Sequence, residues 1–131
     1  MRSLKKNRTN RYGWKVGYWE YYHTNGELER KGKYKNGLRE GYWEEYFDNG
    51  QLEIKGLYKN GERDGMFEYY YDSGKLSGKG YCNEGMRYGY WEEYYENGLI
   101  YSKGSYKNGE KNGYWEFYYP NGELEYSFNY N

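Results

Sequence analysis

The sequence predicts an all-β protein. Five tandem hairpin repeats, each about 24 residues long, would form an elongated, twisted, single-layer antiparallel meander of about ten strands. Three observations predict it. First, the segment "GYWEEYFDNGQLEIKGLYKNGERD", which starts at Gly41, returns from Gly17, Gly65 and Gly89 and, shortened, from Gly113. Second, every complete copy carries two turn signals. One is Asn25–Gly26, Asn49–Gly50, Ser73–Gly74, Asn97–Gly98 or Asn121–Gly122; the other is Asn36–Gly37, Asn60–Gly61, Glu84–Gly85 or Asn108–Gly109. Third, the runs between turns are short, aromatic and branched, with glycine every few residues and no 3.6-residue apolar period, which argues against helix. Aromatic residues make up 24% of the 131 residues, 23 of them Tyr, and Ala is absent. An aliphatic core cannot be built from this composition. Tyr, with an apolar ring and a polar tip, has to serve instead.

Residues 1–16 form a basic N-terminal arm or partial cap repeat. Arg2, Lys5, Lys6, Arg8, Arg11 and Lys15 occur there without an acid, while the whole chain has formal charge zero, so the repeats are net acidic. Such an arm suits RNA, acidic lipid or an acidic partner; the plainer reading is a solvated, frayed terminus. The array occupies 17–131, with units 17–40, 41–64, 65–88, 89–112 and 113–131. In each unit the first Asn-Gly reads as a two-residue hairpin loop, because both of its positions favour φ > 0. The second then reads as the longer link to the next hairpin.

That choice fixes a register. Phe47 faces Leu52, Glu45 faces Ile54, Trp43 faces Gly56 and Gly41 faces Tyr58, so large rings cover strand glycines. On the opposite face Tyr46 meets Glu53, Glu44 meets Lys55 and Tyr42 meets Leu57. The same register pairs Glu20 with Lys31, Glu68 with Lys79 and Glu92 with Lys103. A one-residue slip would destroy all four ion pairs. Two faces follow. One presents Trp19, Trp43, Phe67, Trp91 and Trp115 beside Leu28, Leu52, Leu76, Ile100 and Leu124. The other presents Tyr22, Tyr46, Tyr70, Tyr94 and Tyr118, with Tyr18, Tyr42, Tyr90 and Tyr114 in a second column and the Glu column between.

The pattern "GYWEEYxxNGxLxxKGxYKNGxxxG" resembles MORN repeats, in the bacterial variant form typified by YwqK-like antitoxin components. The likeness covers residues 17–131. It implies hairpins in an elongated sheet and a scaffolding or protein-binding role, with lipid binding proposed for some relatives; the antitoxin form implies a small protein that neutralises an effector. Departures are Met66–Phe67 in place of Tyr-Trp, Cys82–Asn83–Glu84 in the third closing turn and Phe128 in the last glycine slot. A lesser likeness, to choline-binding wall repeats, rests on "YGWKVGYWEYYHTNG".

No catalytic constellation is legible. His23 is the only His and reads as an exposed turn residue. Cys82 is the only Cys, stands in a Tyr slot and reads as structural. Successive column glutamates are two strands, or ~9.6 Å, apart by strand spacing, too far to share an ion. No cofactor or metal is expected, and no enzyme activity. No apolar stretch approaches the roughly 20 residues of a membrane helix, and "MRSLKKNRTNRYG" has no apolar core of a leader, so a cytoplasmic setting is expected.

The leading expectation is a protein-interaction module. It would bind, and in an inhibitor-like role neutralise, a partner such as a toxin or nuclease. The expected surface is an exposed apolar strip of Trp19, Trp43, Phe67, Trp91, Trp115, Leu52, Leu76, Tyr58 and Tyr106, which could also serve self-association. Single-stranded nucleic acid, bound by Tyr rows and the arm residues Lys5, Lys6, Arg8 and Arg11, ranks second. An anionic membrane ranks third. Acidic repeats oppose both.

Overall fold

The computed structural model describes residues 5–131; Arg2 lies outside them. Eleven strands follow one another in chain order in a single open antiparallel sheet: β1 (Arg8–Thr9), β2 (Lys15–Tyr22), β3 (Leu28–Lys35), β4 (Leu38–Tyr46), β5 (Leu52–Lys59), β6 (Glu62–Tyr70), β7 (Leu76–Asn83), β8 (Met86–Tyr94), β9 (Ile100–Lys107), β10 (Glu110–Tyr118) and β11 (Leu124–Tyr130). The described residues contain no helix.

The turns exchange roles relative to the sequence reading. The tight two-residue loops are Asn36–Gly37, Asn60–Gly61, Glu84–Gly85 and Asn108–Gly109, where both residues have φ between 50° and 85°. That is the type I′ geometry whose twist matches flanking strands. At Asn49–Gly50 only Gly50 has positive φ, 88°. There Phe47 N donates to Gln51 O at 2.8 Å and Gly50 N to Phe47 O at 3.0 Å, which makes a three-residue loop. Asn49 keeps an ordinary backbone because its side chain is engaged: Oδ1 accepts from Gln51 N, and Nδ2 donates to Asp72 O in the following repeat. Asn25 and Asn97 reach Asp48 O and Pro120 O in the same way.

The register holds through most of each hairpin: Gly41↔Tyr58, Tyr42↔Leu57, Trp43↔Gly56, Glu44↔Lys55 and Glu45↔Ile54. It then shifts by one residue. Tyr46 pairs with Leu52, not Glu53, and Phe47 falls in the turn. The extra residue is a β-bulge. It recurs at Tyr22↔Leu28, Tyr70↔Leu76, Tyr94↔Ile100 and Tyr118↔Leu124. Because paired residues share a face, the Leu/Ile column belongs with the Tyr22–Tyr118 column and not beside the indoles.

The rings reach backwards. A Cβ built on Gly32 would lie 2.2 Å from the Trp43 indole; Gly80 and Gly104 stand in the same relation to Trp91 and Trp115, and Gly56 to Phe67 at 2.4 Å. Each ring therefore lies over the glycine of the preceding repeat, and for Phe67 and Trp91 that glycine, Gly56 or Gly80, is also a register partner. Trp43 Nε1 donates to Lys33 O, Trp91 Nε1 to Tyr81 O and Trp115 Nε1 to Ser105 O, at 2.9–3.0 Å. These contacts, with turn amides such as Gly61 N donating to Arg39 O, stitch neighbouring repeats together. Such stitching is what a one-dimensional array needs in place of a central core.

The N-terminal segment is docked, not frayed. β1 pairs with β2, and Trp19 Nε1 donates to Arg8 O at 3.0 Å, the bond other indoles make to a preceding repeat. Lys6 bonds the Glu20 carboxylate. Residues 6–9 thus act as the missing half-repeat.

Candidate functional site

The predicted apolar strip is not an open surface. Trp43, Trp91 and Trp115 are 1% exposed and Phe67 0%, and Tyr58 and Cys82 are buried with them. Trp19, Tyr106, Leu52 and Leu76 are half-buried. Rings zigzag edge-to-face along this side, Trp19–Tyr34–Trp43–Tyr58–Phe67 and then Trp91–Tyr106–Trp115–Tyr130. Cys82 breaks the chain where a Tyr would stand.

A row of cations covers the rings. Arg39 sits 4.4 Å from the Trp43 centroid and Arg87 4.3 Å from Trp91; Lys15, Arg63 and Lys111 hold the same slot over Trp19, Phe67 and Trp115. Cations over ring faces shield the indoles and make this side a sealed layer. Sequence reasoning missed the row. Its signal was a Lys or Arg four residues before each ring, at the repeat period. The layer has one gap: Gly78 stands where other repeats have Arg30, Ile54, Ser102 or Tyr126. A cleft of about 290 Å³ opens there between Tyr69, Tyr71, Arg87, Trp91 and Glu93.

The opposite face is open. A charged row crosses it, in register from strand to strand: Glu20, Lys31, Glu44, Lys55, Glu68, Lys79, Glu92, Lys103, Glu116. The ion pairs close with the following repeat and not within the hairpin: Lys31–Glu44 at 3.8 Å, Lys55–Glu68 at 3.4 Å and Lys103–Glu116 at 3.8 Å. Tyr70 donates to Glu68, and Tyr94 to Glu92 at 2.9 Å. The Tyr70 hydroxyl, with Lys55, holds the Glu68 carboxyl below its usual range. Burial, reinforced by Glu92, pushes the Tyr94 phenol up to about 12, and burial with Glu44 raises Tyr46 likewise. Tyr46, Tyr70, Tyr94 and Tyr118 are half-buried, while Tyr22 is exposed.

Alongside that row runs the wet column. Tyr42 is 49% exposed, Met66 55%, Tyr90 53% and Tyr114 58%. Leu57, Tyr81 and Tyr88 extend it: Tyr42 pairs with Leu57, Met66 with Tyr81, and Tyr81 with Tyr88. The central strands β4–β8 therefore carry a connected apolar patch. The sequence reading placed Leu57 opposite Tyr42 and marked Met66 as a departure, but it assigned none of Leu57, Met66, Tyr81 and Tyr88 to a binding surface, because each departs from the repeat consensus at its position.

His23 is half-buried, and its Nε2 lies 2.8 Å from Tyr46 O. Tyr71 and Tyr95 donate to Tyr94 O and Tyr118 O from the same slot, so the position is an inter-repeat tie and not a free turn residue. Burial raises the Cys82 thiol, which disfavours the thiolate a nucleophile requires. Among the described residues no cluster of three metal-ligating side chains occurs, and no helix is long and apolar enough to cross a membrane. Lys5, Lys6, Arg8 and Arg11 are exposed.

An open sheet of self-stacking hairpins, sealed by rings and cations on one face and wet on the other, defines a repeat scaffold, a class that works by binding. The profile of the MORN repeat variant family matches residues 15–36, 39–60, 63–81, 87–108 and 111–131. The chain belongs to that family. None of the curated proteins matches it.

Proposed function

We propose that the chain is a non-enzymatic module that binds a partner protein, in an inhibitor- or antitoxin-like role in the cytoplasm. The contact surface is the open face around Tyr42, Leu57, Met66, Tyr81, Tyr88 and Tyr90. One observation carries this reading. These side chains form a connected, exposed apolar patch on a rigid strand surface, while Trp43, Phe67, Trp91 and Trp115 of the other aromatic face are buried. Tyr-rich patches gain contact area at low side-chain entropy cost, as interface hot spots do. The nucleic-acid and lipid readings rank lower, since Lys6 is engaged by Glu20 and the repeats are net acidic.

The test is a crosslinked capture from the native cell, run in parallel with the full chain and with a Tyr42→Ala/Met66→Ala/Tyr90→Ala variant. A protein retained by the former and lost by the latter supports the proposal. Equal capture by both, or capture abolished by nuclease or by moderate salt, overturns it.

A further inference from the structure

β11 is unlike the strands it repeats. β3, β5, β7 and β9 each receive a following repeat, and each offers Lys-Gly for the purpose: Lys31–Gly32, Lys55–Gly56, Lys79–Gly80 and Lys103–Gly104. The Lys meets the next Glu, and the Gly admits the next ring. β11 has Ser127–Phe128 there. Phe128 fills the space that a further indole would occupy, and Ser127 removes the charge. Tyr126 and Phe128 are 51% and 53% exposed, and Leu124 to Asn129 are exposed throughout. Among the described residues the outer edge of β11 has no partner strand. It also carries neither Lys nor Pro, the usual guards against edge pairing.

We propose that this edge pairs with the same edge of a second copy of the chain, antiparallel, about a two-fold axis at Ser127. The sequence of β11, "LEYSFNY", complements itself in that register. Ser127 faces Ser127 of the second copy, Tyr126 faces Phe128, Glu125 faces Asn129 and Leu124 faces Tyr130. No like charges meet, and aromatic pairs flank the axis on one face. The same operation on β9 would set Lys103 against Lys103. The two substitutions that unfit β11 for a sixth repeat are those that fit it for its own copy. Backbone pairing of one strand is a small interface, so the dimer is concentration-dependent.

Sedimentation equilibrium tests this from about 1 µM to about 1 mM, a range that spans weak interfaces. The full chain is expected to pass from one to two chain masses. Ser127→Lys and Ser127→Glu should each stay at one chain mass alone and regain two when mixed. Both are exposed-strand substitutions, Lys being what four other repeats carry there, and circular dichroism with indole emission confirms folding. A single chain mass throughout for the full chain overturns the proposal. So does a dimer indifferent to Ser127→Lys, or one lost in the Tyr42→Ala/Met66→Ala/Tyr90→Ala variant, which would place association on the open face.

Discussion

Trp91 and Tyr90 are neighbours in sequence and occupy opposite sides of one strand. Trp91 lies over Gly80 with its N–H bonded to Tyr81 O and Arg87 across its face. Tyr90 stands opposite Ser105 and is half in water. The difference does not come from hydrophobicity alone, since Tyr58, a tyrosine like Tyr90, is buried on the indole side at 9% exposure. It comes from what the preceding repeat presents. A bare glycine receives the indole, whereas Tyr90 meets no such gap. One face spends its rings on holding repeats together and the other leaves them free for a partner.

Four measurements break or sharpen that contrast. The largest effect is expected for Gly80→Val or Gly104→Val. A Cβ there would stand 2.2 Å from an indole atom, so ring and strand cannot both keep their places. A loss of about 5 kcal/mol or more is expected, read as collapse of the urea transition. Trp91→Ala should come next, at about 3–5 kcal/mol for an emptied aromatic site, with the loss concentrated in hydrogen-exchange protection of β7–β9. Trp43→Phe should cost about 1 kcal/mol, the price of one buried N–H bond; Phe67 fills the equivalent site without that bond. Tyr90→Ala should change stability by no more than about 0.5 kcal/mol. An equal loss for Tyr90→Ala and Trp91→Ala would abolish the distinction between faces.

Acid and alkali probe the open face from both ends. Glu68 and Glu20 are held below their usual value of 4.5 by hydrogen bonds. Their contribution is complete above that value and is lost as pH falls through the lowered folded pKa. Tyr94 is raised from 10.0 to about 12. An unfolded chain ionises this phenol first, so its stabilising effect is full below pH 10 and disappears as pH rises towards 12. Denaturation melts across both windows, with phenolate absorbance following the second, check the signs. Flat stability from pH 8 to 12 would contradict the tyrosine environment described above.

Much of this was legible in the sequence, because a repeat period constrains pairing. Strand existence, hairpin order, the Trp43–Gly56 register and the charged row follow from turn signals and period-two alternation. Which Asn-Gly is tight did not follow. Both sites carry the same dipeptide, and Asn49 is drawn out of the left-handed region by bonds that include Asp72 in another repeat. The exposed strip was misplaced for a related reason. Pairing partners inside a hairpin are local, but an indole long enough to cross a strand can lie over either neighbouring glycine. The chemistry of the candidate face was partly visible as the Tyr18–Tyr114 column with Leu57 opposite Tyr42; that Met66, Tyr81 and Tyr88 continue it as one exposed patch emerged only in the structure.

By itself the sequence determined that this chain is a ladder of β-hairpins, what stands opposite what in each as far as the bulge, and which residues are unlike their counterparts. Tertiary structure decided which rings are covered. Burial depends on the strand beyond the hairpin, on Gly32 beneath Trp43 and Arg39 above it, and alternation along one strand assigns a side chain to a face without saying what covers that face.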